Sequence, residues 1–257
     1  MQENLNKPRL IARLDIKGPS VVKGIHFEGL RIMGDPDELA TKYYEQGADE
    51  LLYIDTVASL YGRNNLLEVV RQAAKHLFIP MTVGGGVRSP DDVKLLLRNG
   101  ADKVAINTAA VAEPHLISEI AEIYGSQVIV VSLQTKLLED GRRVVYTENG
   151  REPTNVEALD WALRAEELGA GEILITSIDQ DGTGRGFETE FAAQVAAAVK
   201  IPVIVSGGAN KPEDVSEVIR KAGVDAVAVA SMLHYDRATI GGIKEHLEAR
   251  GVPTARH

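Results

Sequence analysis

The chain has 257 residues, close to the size of one α/β barrel, about 250 residues, and short for two enzymatic domains. Its 44% apolar and 25% charged residues exclude a disordered chain, and no apolar run approaches the roughly 18 residues that span a bilayer. Zero cysteines exclude a disulfide scaffold, a Cys-type zinc site and a thiol nucleophile, and a net charge of -9 disfavours nucleic acid as a partner.

Read from the N-terminus, Met1 to Arg9 is polar without an apolar signal core, so the cytoplasm is the expected compartment. Short β-branched runs then alternate with segments of helical period. Strands are expected over Leu10–Ile16, Glu50–Ile54, Met81–Val83 and Lys103–Ile106, then over Val128–Leu133, Glu172–Thr176, Val203–Val205 and Ala226–Ala230. Helices are expected between them, over Asp35–Gln46, Leu66–His76, Pro90–Asn99, Pro114–Tyr124 and Asn155–Leu168. Ser89-Pro90-Asp91-Asp92 and Lys211-Pro212-Glu213-Asp214 mark helix starts, with proline in the first turn and acids behind it. Leu137–Asn155 carries turn signals at Gly141 and Asn149-Gly150 and reads as a long hairpin-like lid with a solvated surface.

The chain repeats itself. Ile79-Pro80-Met81-Thr82-Val83-Gly84-Gly85-Gly86 matches Ile201-Pro202-Val203-Ile204-Val205-Ser206-Gly207-Gly208 at an offset of 122 residues. Gly47-Ala48-Asp49-Glu50 matches Gly169-Ala170-Gly171-Glu172, and Gly100-Ala101-Asp102-Lys103 matches Gly223-Val224-Asp225-Ala226. A period near half the chain excludes solenoids, whose periods are far shorter. It predicts an α/β fold: a single (β/α)8 TIM barrel built from two fused half-barrels, roughly 1–125 and 126–257.

In such barrels ligands bind where strands end and βα loops begin. Gly84-Gly85-Gly86 follows strand 3 and Gly207-Gly208 follows strand 7. Bare glycine backbone lets N–H groups approach an anion. Asn107, Thr108 and Ser231 supply small polar donors beside these clusters, and strand 6 adds Thr176, Asp181 and Gly182. Two related phosphate cradles on opposite sides of one mouth suit a bis-phosphorylated ligand. Asp15 closes strand 1, flanked by Lys17 and followed by Lys23 in a glycine-containing loop that reads as a mobile lid over anions. Asp55 and Asp179 read equally well as acid–base groups or as turn-capping carboxylates. The repeat partner of Asp15 is Gln134, an amide that cannot exchange protons near neutral pH. The histidines show no metal spacing, and neither a metal nor a cofactor is expected.

These residues carry a specific resemblance. Leu14-Asp15-Ile16-Lys17, Val22-Lys23-Gly24, Thr82-Val83-Gly84-Gly85-Gly86, Ile106-Asn107-Thr108-Ala109, Thr176-Ser177-Ile178-Asp179-Gln180-Asp181-Gly182-Thr183 and Ser206-Gly207-Gly208-Ala209 resemble the cyclase-subunit family of imidazole glycerol phosphate synthase, from about Arg9 onward. The resemblance implies a histidine-pathway cyclase fed with ammonia by a separate glutaminase subunit in a heterodimer. That cyclase converts a bis-phosphorylated ribulosyl nucleotide to imidazole glycerol phosphate and an aminoimidazole carboxamide nucleotide. It implies that Asp15 is a catalytic acid–base, Lys23 a lid lysine that meets substrate, and Arg9, Glu50, Lys103 and Glu172 the charged ring through which ammonia enters. Asp102 falls where the family docks its glutaminase. Gln134 stands where the family has its second catalytic aspartate, and Gly18-Pro19-Ser20 replaces the usual lid turn. The alternative is a barrel that docks a glutaminase and channels ammonia to another enzyme, such as a sugar amidotransferase.

Overall fold

The computed structural model describes residues 7–57 and 66–255. Its strands are β1 (Arg9–Lys17), β2 (Ser20–Ile25), β3 (Glu28–Gly34), β4 (Glu50–Asp55), β5 (Met81–Gly84), β6 (Lys103–Ile106), β7 (Ile129–Leu137), β8 (Arg143–Thr147), β9 (Glu152–Glu157), β10 (Glu172–Ser177), β11 (Val203–Ser206) and β12 (Ala226–Val229). Eight of them pair in parallel in the order β10-β11-β12-β1-β4-β5-β6-β7, and β7 closes the ring on β10. The result is a (β/α)8 barrel. Its strands are apolar on both sides because each is buried on both: β4 and β10 expose no residue at all.

Period-two alternation sorts the core into two compartments. Leu10, Leu14, Leu51 and Tyr53 face the surrounding helices. Ile11, Leu52, Ala105, Val130, Leu174, Ile204 and Ala226 face the bore and form an apolar collar inside it. Helices start where the sequence marks them. Asp35 caps α1 (Pro36–Glu45) by accepting from the Asp37 and Glu38 amides. Asp214 Oδ2 accepts from Asn210 and Lys211 ahead of the helix Pro212–Ala222.

Three expectations shift. Val128 lies in a 3-10 turn over Ser126–Val128, ahead of the fifth barrel strand. Asn155–Glu157, expected to open a helix, instead completes β9, and the helix runs from Ala158 to Glu167. Thr154 Oγ1 donates to the Val145 carbonyl at 2.6 Å and ties this segment to β8. Both β1 and β7 are followed by an antiparallel hairpin, β2–β3 and β8–β9, so the expected loop after Asp15 is a built element. The turn Gly18-Pro19 brings Ser20 opposite Lys17 and lets the strand pairing continue.

The Gly-Ala-Asp repeats fasten the barrel's base. Asp49 Oδ2 accepts from the Leu10 amide at 2.7 Å, Asp102 Oδ2 from Met81 at 2.8 Å and Asp225 Oδ2 from Val203 at 2.9 Å. In return each aspartate's own amide donates to the carbonyl of the same residue. At the fourth such position stands Gly171, whose amide donates to Ile129. A Cβ there would collide with the Ser126 carbonyl, and that carbonyl accepts from the Ile129 amide in place of a carboxylate.

Candidate active site

At the C-terminal mouth, Asp15 lies inside an alternating chain of buried charges. Arg13 Nε donates to Asp15 Oδ1 at 2.8 Å, Lys23 Nζ to Asp15 Oδ2 at 3.2 Å, and Lys23 Nζ to Asp181 Oδ1 at 2.9 Å. All four side chains are almost fully buried. Burial alone pushes the Asp15 carboxyl up, but Arg13 and Lys23 together outweigh it and hold it at about 2. Burial likewise works against the Lys23 ammonium, and Asp181 and Asp15 overcome it, so the lysine stays protonated.

Arg13 belongs to this cluster and was not among the site residues expected from the sequence. Beyond Asp15, its Nη1 donates to Thr176 Oγ1 at 3.0 Å and to Ser206 Oγ at 3.2 Å. The Phe27 ring covers it, 6.0 Å from the guanidinium carbon. A usable signal was present: residues 9, 11, 13 and 15 of one strand share a face, and a cation in an apolar run beside Asp15 must be paired.

The two cradles differ in openness. A cleft of about 270 Å³ lies over β5, β6 and β7, lined by Gly85, Gly86, Asn107, Thr108, Gln134 and Asn149 among others. Gln134 Oε1, Asn107 Oδ1 and Asn149 Nδ2 are buried there without a hydrogen-bond partner, an amide set that a polar ligand would satisfy. Gln134 Nε2 donates to Asn149 Oδ1 at 3.4 Å. The second hairpin leans on this cradle: Asn107 Nδ2 donates to the Tyr146 carbonyl and Thr108 Oγ1 accepts from the Glu148 amide. The other recess, lined by Lys23, Asp181, Ser206, Gly207, Gly208 and Ser231, measures about 10 Å³, room for about one water. Gly182 lies under the first hairpin, where a Cβ would strike the Gly24 carbonyl.

Both hairpins pack over the mouth. The His26 amide donates to the Asp181 carbonyl at 2.9 Å, and His26 Nδ1 lies 2.6 Å from the Ile178 carbonyl. Phe27, at the tip of β2–β3, reaches across to Gly150 in the turn of β8–β9, where a Cβ would sit 2.6 Å from its ring. Asp55 Oδ1 accepts from the Val57 amide, and Asp179 Oδ2 accepts from the Leu137 amide at the foot of the second hairpin. Both carboxylates brace loops.

At the opposite end the four ring residues meet. Arg9 Nη1 contacts Glu50 at 2.6 Å and its Nη2 contacts Glu172 at 3.0 Å, while Lys103 reaches Glu50 at 3.3 Å and Glu172 at 2.6 Å. Burial raises the Glu172 carboxyl, but bonds from Arg9 and Lys103 bring it below the usual range. Asp102 is exposed beside this ring's Lys103, with its Oδ2 already committed to the Met81 amide. Among the described residues no helix is long and apolar enough to cross a membrane.

The chain is similar in sequence to known proteins. The family model described as histidine biosynthesis protein matches residues 9–239. The imidazole glycerol phosphate synthase subunit HisF of Legionella pneumophila is 60% identical over 210 residues, covering 82% of this chain and 99% of that relative. The HisF subunit of Bifidobacterium adolescentis is 50% identical over 95% of this chain and 96% of its own length. That of Streptomyces avermitilis is 51% identical over 95% and 97%. With a barrel, a mouth and a base ring of this kind, the chain belongs to the histidine biosynthesis protein family, alongside the HisF subunits of imidazole glycerol phosphate synthase.

Proposed function

We propose that this chain is the ammonia-dependent cyclase of its family, forming imidazole glycerol phosphate and an aminoimidazole carboxamide ribonucleotide from a bis-phosphorylated ribulosyl intermediate. The observation that carries this reading is the buried Asp15–Lys23 pair set between two glycine-lined cradles. Gly85, Gly86, Asn107 and Thr108 would hold one phosphate. Gly182, Gly207, Gly208 and Ser231, with Thr176 and Asp181 nearby, would hold the other once the first hairpin lifts from the narrow recess it now covers. The Asp15 carboxylate is unprotonated near pH 7 and would take a proton from a substrate hydroxyl or from the cationic nitrogen left once ammonia has added to the substrate, while Lys23 Nζ is the acid in contact with it.

A glutaminase subunit would dock at the base, near Asp102, and deliver ammonia through the ring of Arg9, Glu50, Lys103 and Glu172. Ring and collar together suit neutral ammonia: an ammonium ion would shed its hydration in the collar at a cost of several kcal/mol. Purified protein given an ammonium salt and the ribulosyl intermediate should form the imidazole product. A folded sample with no turnover above background would sink this reading.

Gln134 and Arg13 motivate a second reading, which the HisF relatives do not favour. Gln134 removes one proton-exchanging group from the mouth, and Arg13 holds the remaining carboxylate in an ion pair. A barrel so equipped would dock a glutaminase and pass ammonia to another enzyme, one that amidates or amidinates a sugar. Such a barrel would stimulate its glutaminase without cyclising the ribulosyl intermediate.

A further inference from the structure

We propose that Arg13 is an outlet gate: a guanidinium that crosses the bore just beneath the mouth and holds it shut. The proposal rests on the reading that ammonia travels through the barrel, which both functions above share. Along the inward face of β1, period two stacks Arg9 in the base ring, Ile11 in the apolar collar, then Arg13 and Asp15. From this strand the Arg13 side chain reaches Thr176 on β10 and Ser206 on β11. In the ring order β10 stands three places from β1, so the side chain spans the bore instead of lining its wall.

The chemistry matches a gate. Arginine stays charged at any working pH, so Arg13 needs a permanent partner, and Asp15, two residues on, supplies it at 2.8 Å. The far anchors are two neutral hydroxyls, weaker acceptors than a carboxylate. The guanidinium can therefore leave Thr176 and Ser206 while keeping its ion pair, with Asp15 as the hinge. Arg13, Asp15, Lys23 and Asp181 are two cations and two anions, as are Arg9, Glu50, Lys103 and Glu172 at the base. The collar thus lies between two electroneutral networks, one at each end.

The chain has no cysteine, so one introduced thiol reports on the bore. Ala226 is fully buried in the collar, level with Arg9 and below Arg13. In an Ala226→Cys background, modification by the small neutral reagent methyl methanethiosulfonate should be slow. Adding Arg13→Ala should speed it at least about tenfold by removing the local barrier. Thr176→Val with Ser206→Ala, which spares the Arg13–Asp15 pair, should speed it by a smaller factor and carries the test alone if Arg13→Ala does not fold. Ala162→Cys, in the outer core between helix and barrel, should be indifferent to every one of these changes.

Unchanged rates at position 226 would overturn the gate, and so would equal acceleration at both positions, which signals a loosened fold. The assay needs neither ammonia nor a glutaminase. A parent complex with no glutamine-driven turnover, alongside thiol rates that move as expected, would therefore count against the ammonia reading alone. Normal turnover with unmoved thiol rates would count against the gate alone.

Discussion

Gln134 takes a titratable group out of the mouth, while Arg13 adds a permanent cation to it. If the chain is a cyclase working with one carboxylate, Asp15→Asn should abolish turnover. Gln134→Asp should then raise kcat, by about 10²-fold, because one positioned proton transfer is worth that much. Steady-state kinetics with an ammonium salt decide the matter, and a Gln134→Asp variant that stays at background supports the conduit. Asp15 also writes itself into the acid stability. Its carboxyl, near 2 in the folded chain, is close to 3.9 when unfolded, so its stabilisation is complete above about pH 4. That contribution, on the order of 2 kcal/mol, should fade as the pH falls from about 4 towards 2. Urea melts across this range should show a steeper loss for the parent than for Asp15→Asn. Asp15 itself was legible from its place at a strand end. Arg13 shares that face by the strand's period, but its far partners were not legible, because only closure of the barrel brings Thr176 and Ser206 across from it.

The two hairpins act as one cover. Phe27 stands on the first and packs against Gly150 in the turn of the second, and both turns use residues with positive φ, His26 and Phe27 in one, Glu148 and Asn149 in the other. Such conformations cost non-glycine residues about 1–3 kcal/mol each and persist only where the surroundings hold them. Gly150→Ala adds a methyl into the Phe27 ring at a φ of 78°. It should lower stability by about 1–3 kcal/mol and part the lids. Thermal melts would read the first effect, and faster proteolytic nicking near His26 and Phe27 the second. The second hairpin was legible from Gly141 and Asn149-Gly150. The first was expected only as a mobile loop, since Ser20–Ile25 and Glu28–Gly34 lack a strong alternation and owe their pairing to the extension of β1. Asp55 and Asp179 show the same limit. A carboxylate at a strand end is visible in sequence, but whether it meets a ligand or a loop amide depends on where the neighbouring loop runs.

For the whole molecule, the barrel could be read from eight β-branched runs and a half-chain repeat because parallel strands buried on both faces leave a dense apolar signature. The repeat has a finer grain. The base brackets pin β1 to β4, β5 to β6 and β11 to β12, so the cylinder is laced as quarters of two strands each. Three quarters are laced by a carboxylate; in the fourth, β7 with β10, the Gly171 amide still donates to the Ile129 carbonyl, but the Ile129 amide turns back to the Ser126 carbonyl of its own segment. A bond to a carboxylate is roughly twice as strong as one between neutral groups. The fourth quarter is thus a seam. When the cylinder breathes, it should part first at the foot of β7 and β10. In hydrogen–deuterium exchange the Ile129 amide should then exchange about tenfold faster than those of Leu10, Met81 and Val203, which wait for a larger opening.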